Sequence, residues 1–211
     1  MKNNIKSIGI IGAGKVGIVL AQLAVKAGYR VYIAGSGDSE KIALTISTLV
    51  PGATALENKG VAQKADLIIL AIPLGRYKEL PREELKDKLV IDAMNYWWEI
   101  DGDRPEFTNP QVSTSELVQQ FLSESRVVKA FSHIGYHDLH NDARSEGAPD
   151  RKAVAIAGDS TSDLNTVSEV VNDFGFDPIL VGPLASGIKL QPGGPIFGAH
   201  VSPATLSTML R

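Results

Sequence analysis

The stretch Ile5 to Gly17, reading I-K-S-I-G-I-I-G-A-G-K-V-G, constrains this chain more than any other. An apolar run rich in β-branched residues leads to Gly12. The chain must then turn through Gly12, Gly14 and Gly17 into a helical pattern. In a dinucleotide-binding βαβ unit the first glycine permits the tight turn, the second lets the backbone approach a pyrophosphate, and the third lets helix and strand pack closely. Unpaired N–H groups at the helix start then face the phosphates. A bare G-x-G-x-x-G is weak in a chain with 20 glycines, but this one follows a strand pattern and opens a helical one, which is the confirming context. Gly12, Ala13, Gly14, Lys15, Val16 and Gly17 are therefore the expected cofactor-binding turn, with Lys15 and Val16 contributing mainly backbone amides.

The rest of the chain repeats that rhythm. The spacing predicts a helix over Val16 to Lys26 that stops at Gly28, a strand over Tyr29 to Ala34, and a helix to about Leu49 capped by Asp38 or Ser39. A short strand at Ala53 to Leu56, a short helix at Glu57 to Lys64, and strands at Asp66 to Ile72 and Lys88 to Asp92 follow. Ser113-Thr114-Ser115-Glu116 fits a capping box opening a helix to about Leu122. Further strands are expected at Arg126 to Phe131, Lys152 to Ala157 and Pro178 to Val181, with a helix at Ser162 to Phe174 and a weak one at Pro203 to Leu210. Alternating strands and helices imply an α/β fold, a Rossmann-type doubly wound, mainly parallel sheet. No sharp linker divides residues 1–211. The expectation is a single domain, with a dinucleotide-binding core over about 1–150 and a small C-terminal α/β extension over about 151–211.

Composition narrows the function. The absence of cysteine excludes disulfides, thiol redox chemistry and Cys-ligated zinc or iron–sulfur clusters. A formal net charge of −3 gives no electrostatic case for nucleic acid or an anionic membrane. Met1-Lys2-Asn3-Asn4 lacks a signal-peptide pattern, and the apolar run Leu67 to Pro73 is too short to span a bilayer, so a cytoplasmic protein is expected.

The usual reader of NAD is an acid at the end of the second strand. Here Ala34-Gly35-Ser36-Gly37 holds that place. No carboxylate is there to repel a 2′-phosphate, and Ser36 and the loop amides from Gly35 can donate to one. This favours NADP, with NAD as the alternative; the lack of an arginine in the loop and the presence of Asp38 weigh the other way. Ala71-Ile72-Pro73, after the fourth strand, lies at the carboxyl edge where doubly wound sheets bind ligands. Arg76, just beyond, either reaches a phosphate or is an ordinary exposed arginine.

Together, I-G-I-I-G-A-G-K-V-G at 8–17, A-I-P at 71–73, V-V-K-A-F-S-H-I at 127–134 and L-V-G-P-L at 180–184 resemble the NADP-dependent coenzyme F420 oxidoreductase family. The same fold is similar to the reductase domain of the STEAP metalloreductases. The resemblance implies NADP(H) bound on a Rossmann sheet, with hydride passing between the nicotinamide and a deazaflavin (F420), a flavin (FMN or FAD) or a similar planar acceptor. It also implies that Ala130 and His133 line the hydride-transfer cleft, His133 orienting the acceptor ring or shuttling its proton, and that the protein is a homodimer. Two departures stand out. The family usually has Ser-Arg where this chain has Ser36-Gly37, and Tyr96-Trp97-Trp98 lies outside the general pattern. A non-catalytic NADP(H) sensor and a flavin-mediated metal-ion or quinone reductase are the alternative functions.

Two features stay open at this level. His133, His137 and His140 would share one face of a helix, and with Asp138 or Asp142 could ligate a metal. Gly135 weakens such a helix and no recognised ligand spacing is present, so no metal is expected. His133 could equally be a loop anchor bonded to backbone. The aromatic stretch within Asn95 to Pro110 is expected to be a long loop. Its rings serve as wall for a planar acceptor, as a subunit interface or as core.

Overall fold

The computed structural model describes residues 4–210; Met1 to Asn3, and the leader expectation resting on them, lie outside the described residues, as does Arg211. The elements run β1 (Ser7–Ile11), α1 (Lys15–Lys26), β2 (Arg30–Ala34), α2 (Glu40–Leu49), β3 (Ala53–Ala55), α3 (Asn58–Lys64), β4 (Leu67–Leu70), β5 (Leu89–Asp92), α4 (Trp98–Asp101), α5 (Thr114–Phe121), β6 (Arg126–Lys129), α6 (Tyr136–Asn141), β7 (Ala153–Ala157), α7 (Thr161–Asp173), β8 (Asp177–Gly182) and α8 (Pro203–Met209). Short 3₁₀ turns cover Leu74–Glu79, Pro105–Phe107 and Leu184–Lys189. The eight strands of the described residues form one sheet in the order β3-β2-β1-β4-β5-β6-β7-β8. Pairing is parallel from β3 through to β6. The chain then reverses: β7 meets β6 antiparallel through Lys129 and Ala157, and β8 runs parallel to β7.

The expected α/β class and mainly parallel sheet therefore hold, and the reason is visible residue by residue. Strands buried on both faces read as continuous apolar runs. Ile8, Ile10, Leu67, Ile69 and Ile91 point to one core, with α1, α6 and α7. Ile11, Ile68, Leu70 and Val90 point to the other, with α3 and α5. Residues 153, 155, 190, 196 and 206 form a third, smaller cluster under α8. The capping box forms as read: the Ser113 hydroxyl accepts from the Glu116 amide while the Glu116 carboxylate accepts from the Ser113 amide.

Three expectations shift. The stretch from Asn95 to Pro110 is not pure loop but carries α4 and a 3₁₀ turn, because the Asp101 carboxylate ties back to the Trp97 and Gly75 amides. Asp38 does not sit free beside the nucleotide loop: its Oδ1 accepts from the Glu40 amide at the start of α2. The strands after Leu70 and Lys129 end earlier than read, since Ala71 to Pro73 and Ala130 to His133 peel off at the sheet edge.

A fully buried ion pair sits at that edge, where β5 and β6 end. Lys129 and Asp92 have no exposed surface, and Lys129 Nζ lies 3.3 Å from Asp92 Oδ2. Lys129 also donates to the Met94 carbonyl at 2.6 Å. Asp92 further accepts from the Ser115 hydroxyl and the Met94 amide. Removing one partner of a buried pair leaves an uncompensated charge, at a cost of about 3–5 kcal/mol, whereas replacing both with apolar groups is often neutral. Lys129→Met should therefore lose about 3–5 kcal/mol in urea unfolding, and adding Asp92→Leu to it should recover most of the loss.

Candidate functional site

The site begins at Gly12. Its φ of +125° is open to glycine and strained for other residues. A Cβ there would lie 2.3 Å from the Ala71 carbonyl oxygen. Gly17 is tighter still: a Cβ would meet the Gly12 carbonyl oxygen at 1.7 Å, so α1 seats directly on the turn. Gly14 is the opposite case, since a Cβ there would meet nothing within 4 Å. It is the N-cap of α1, exposed, with no side-chain cap and no acid in the first turn. The start of α1 therefore points unpaired N–H groups and a positive dipole end into open space, an arrangement suited to phosphate.

That space is a cleft of about 300 Å³, walled by Gly12, Ala13, Gly14, Gly35, Ser36 and Gly37 on one side and Ala71, Ile72, Pro73 and Arg76 on the other. Asn58 also lines it, and its Oδ1 is buried without a partner. Eight of the expected cofactor residues (Gly12, Ala13, Gly14, Gly35, Ser36, Ala71, Ile72 and Pro73) thus come together here. Lys15 turns outward, its ammonium 5.4 Å from the centre of the Tyr136 ring, on an apolar groove of about 520 Å³ that shares Ala13 and Gly14 with the cleft. Val16 is half-buried and Gly17 is inside. Asn58 and Arg76 are among the wall residues that pattern reading left unassigned or undecided. Arg76 is half exposed and held by Glu79 through bonds of 2.6–3.1 Å; those hydrogen bonds raise its pKa above the usual guanidinium value.

The structure does not bring Ala130 or His133 to this cleft. Ala130 is fully buried in the core. His133 is 1% exposed, and its Nε2 accepts the Ala155 amide at 2.9 Å, which stitches the β6 exit to β7. An acceptor Nε2 means the ring is neutral with its proton on Nδ1, which points toward the Ala199 backbone in a geometry short of a full hydrogen bond. The His133 carbonyl also accepts the Gly198 amide. This is an anchoring geometry. His137 and His140 line the apolar groove instead, so the three histidines do not converge. Among the described residues, the ligand atoms that do approach one another, within 4.8 Å, are those of Asp138, Asp142 and His200. Asp142 is already paired with Arg144, and its other carboxylate oxygen lies against His200 Nε2.

Comparison with known proteins places these features. Residues 7–96 match the family described as NADP oxidoreductase, coenzyme F420-dependent, which bears out the resemblance read from the motifs. The chain is 39% identical over 95 residues to F420-dependent NADP reductase of Methanocaldococcus jannaschii, a match covering 41% of this chain and 42% of the relative. It is 26% identical over 186 residues to Metalloreductase STEAP3 of Rattus norvegicus, covering 87% of this chain and 35% of that one. The chain thus spans less than half the length of these curated relatives. Among solved structures, a hypothetical protein from Sinorhizobium meliloti superimposes with a TM-score of 0.80 at 24% identity, covering 94% of this chain and 96% of that one. That likeness concerns the fold. No described helix is long and apolar enough to cross a membrane.

Two expected outcomes follow from this geometry. Gly14→Ala should leave the melting temperature nearly unchanged yet weaken dinucleotide binding at least about 10-fold, because a methyl would fill the phosphate space. Gly17→Ala should unfold the protein more easily by several kcal/mol, on the order of an overpacked core; thermal melts and nucleotide titrations separate the two. The second concerns pH. Burial pushes the His133 pKa from its ordinary 6.5 down to about 4, so unfolding takes up a proton in that interval. Stability contributed by the neutral ring is fully present above pH 6.5 and is lost as pH falls toward 4, by up to about 3 kcal/mol. His133→Asn should flatten the unfolding free energy over that range, measured by urea titration at each pH.

Proposed function

We propose that this chain, whose residues 7–96 carry the signature of the coenzyme F420-dependent NADP oxidoreductases, is itself an NADP(H)-dependent oxidoreductase acting on a deazaflavin, flavin or similar planar ring acceptor. The observation that carries the reading is the cleft running from Ser36, past the open Cβ position of Gly14, to Pro73. When bound, NADPH supplies a hydride, and the acceptor ring takes that hydride plus a proton from solvent.

The chain's own residues bind and orient. The Gly12–Gly14 turn and the amides opening α1 hold the pyrophosphate. Ser36 and the Gly35 and Gly37 amides face the adenosine ribose, where the missing acid removes the group that would repel a 2′-phosphate. Arg76 reaches that same end by turning partly away from Glu79. The buried Asn58 Oδ1 accepts a hydrogen bond from a hydroxyl or amine of the adenosine half. Ala71 to Pro73 pass the cofactor across the end of β4. Trp97 and Trp98, which are 44% and 68% exposed at the start of α4, provide the apolar surface for a planar acceptor. His133 acts by holding the β6 exit in place. Ring-to-ring hydride transfer asks for positioning more than for an acid–base pair, which suits a cleft without a catalytic dyad.

Titration with NADPH and NADH, followed through the fluorescence of the two tryptophans, tests the cofactor half; NADPH oxidation with F420, FMN or FAD added singly tests the acceptor half. Tighter NADPH binding and turnover with one ring cofactor are expected. Tight binding with no turnover by any of the three would overturn the enzyme in favour of a sensor. Arg76→Ala should weaken NADPH about 5-fold, the scale of a half-exposed charge-assisted contact, and leave NADH unchanged.

A further inference from the structure

Resting on that cofactor reading, we propose that Asn95 and Ser132 form the seat for the nicotinamide carboxamide. The parallel register aligns Leu70 with Asp92 and Asp92 with Lys129. Pro73, Asn95 and Ser132 each lie three residues past the end of β4, β5 and β6, neighbouring strands of the sheet, and a hydrogen bond joins Asn95 to Ser132. The cleft already passes from the β2 end over the β1 turn to Pro73. The next positions along the edge are those of Asn95 and Ser132.

The chemistry of these two side chains is unfinished in the protein alone. Asn95 Nδ2 donates to the Ser132 carbonyl oxygen at 2.7 Å, which fixes the amide orientation and leaves Oδ1 as the acceptor still to be satisfied. That Oδ1 is buried and has no partner. Ser132 is 4% exposed, and its hydroxyl is also without a partner. Buried polar atoms left unpaired are rare and point to a missing partner. Here a buried acceptor and a buried hydroxyl stand together, and a carboxamide presents the complement: an NH2 for Asn95 Oδ1 and a carbonyl for the Ser132 hydroxyl.

The backbone is arranged to hold them there. Phe131, immediately before Ser132, has φ +64° although it is bulky and buried, a conformation that persists only when its surroundings impose it. Its ring packs 5.5 Å from that of Phe174. Lys129 pins the Met94 carbonyl from below. The two segments carrying Asn95 and Ser132 are thus each fixed before any ligand arrives.

The test compares ligands that differ at the two ends of the cofactor. NADP⁺, 2′,5′-ADP and the 3-acetylpyridine analogue of NADP⁺, which replaces the amide NH2 by methyl, are titrated against wild type, Ser132→Ala and Asn95→Ala, with a thermal melt of each. Ser132→Ala deletes a hydroxyl that bonds nothing in the protein, so its melting temperature should hold or rise, while NADP⁺ binding weakens about 5-fold, the worth of one neutral hydrogen bond. Binding of 2′,5′-ADP should not change in either variant. Wild type should prefer NADP⁺ over the acetyl analogue about 5-fold, and Asn95→Ala should bind the two alike. Unchanged NADP⁺ affinity in Ser132→Ala, or an analogue preference that survives in Asn95→Ala, would overturn the seat while leaving the cofactor reading intact. Failure of wild type to bind 2′,5′-ADP or NADP⁺ would overturn both, and is recognisable because no variant is needed to see it.

Discussion

The contact between α1 and the turn beneath it governs the rest of this molecule. Gly17 lies so close to the Gly12 carbonyl that a single added methyl cannot be accommodated. That closeness brings the start of α1 over the end of β1, and with it the unpaired amides of the first helical turn. Because Gly12 also abuts the Ala71 carbonyl, the same turn sets the width of the cleft between β1 and β4. Packing that tight does not deform gradually, so helix, turn and opposite wall behave as one rigid unit. A rigid anion seat is what binding a pyrophosphate through backbone amides requires.

A second constraint holds the other half of the edge. Asp92 and Lys129 are buried together between the carboxyl ends of β5 and β6, and their remaining hydrogen-bond capacity goes to Ser115 and to both backbone groups of Met94. One charge pair thereby fastens two strands, the start of α5 and the chain leading to Asn95. Its value lies in position rather than in net stabilisation, since buried pairs roughly break even against apolar substitutes. His133 does similar work without charge: kept neutral by burial, it joins β6 to β7 through one nitrogen and receives the Gly198 amide on its carbonyl. The C-terminal segment is in this way tied to the turn after β6 that carries Ser132 of the proposed nicotinamide seat.

Much of the fold was legible from local pattern. The apolar runs of β1, β4 and β5 mark strands buried on two faces, and Ser113 to Glu116 announced a helix start that formed as read. What escaped was whatever depends on partners distant in sequence. Asp101 turns part of the aromatic loop into a helix by reaching Gly75, a residue 26 positions earlier. The Asp38 carboxylate is likewise engaged, though by the nearby Glu40 amide. The reversal of β7 against β6 has no signature in either strand, because an apolar strand reads alike in both directions.

By itself the sequence determined that a strand, a glycine turn and a helix would follow one another at the N-terminal end of the chain, since the steric demands on Gly12 and Gly17 are local. It also determined the absence of an acid after β2 and of any cysteine chemistry. Only the tertiary structure decided which polar groups are bonded inside the protein and which are left without a partner. His133 and Asn95 look equally available in a string of letters. In the fold, a backbone amide occupies one of the His133 nitrogens, while the Asn95 oxygen is left without a partner. That difference turns on whether a partner lies within about 3 Å, a distance set by strands and loops far apart in the chain.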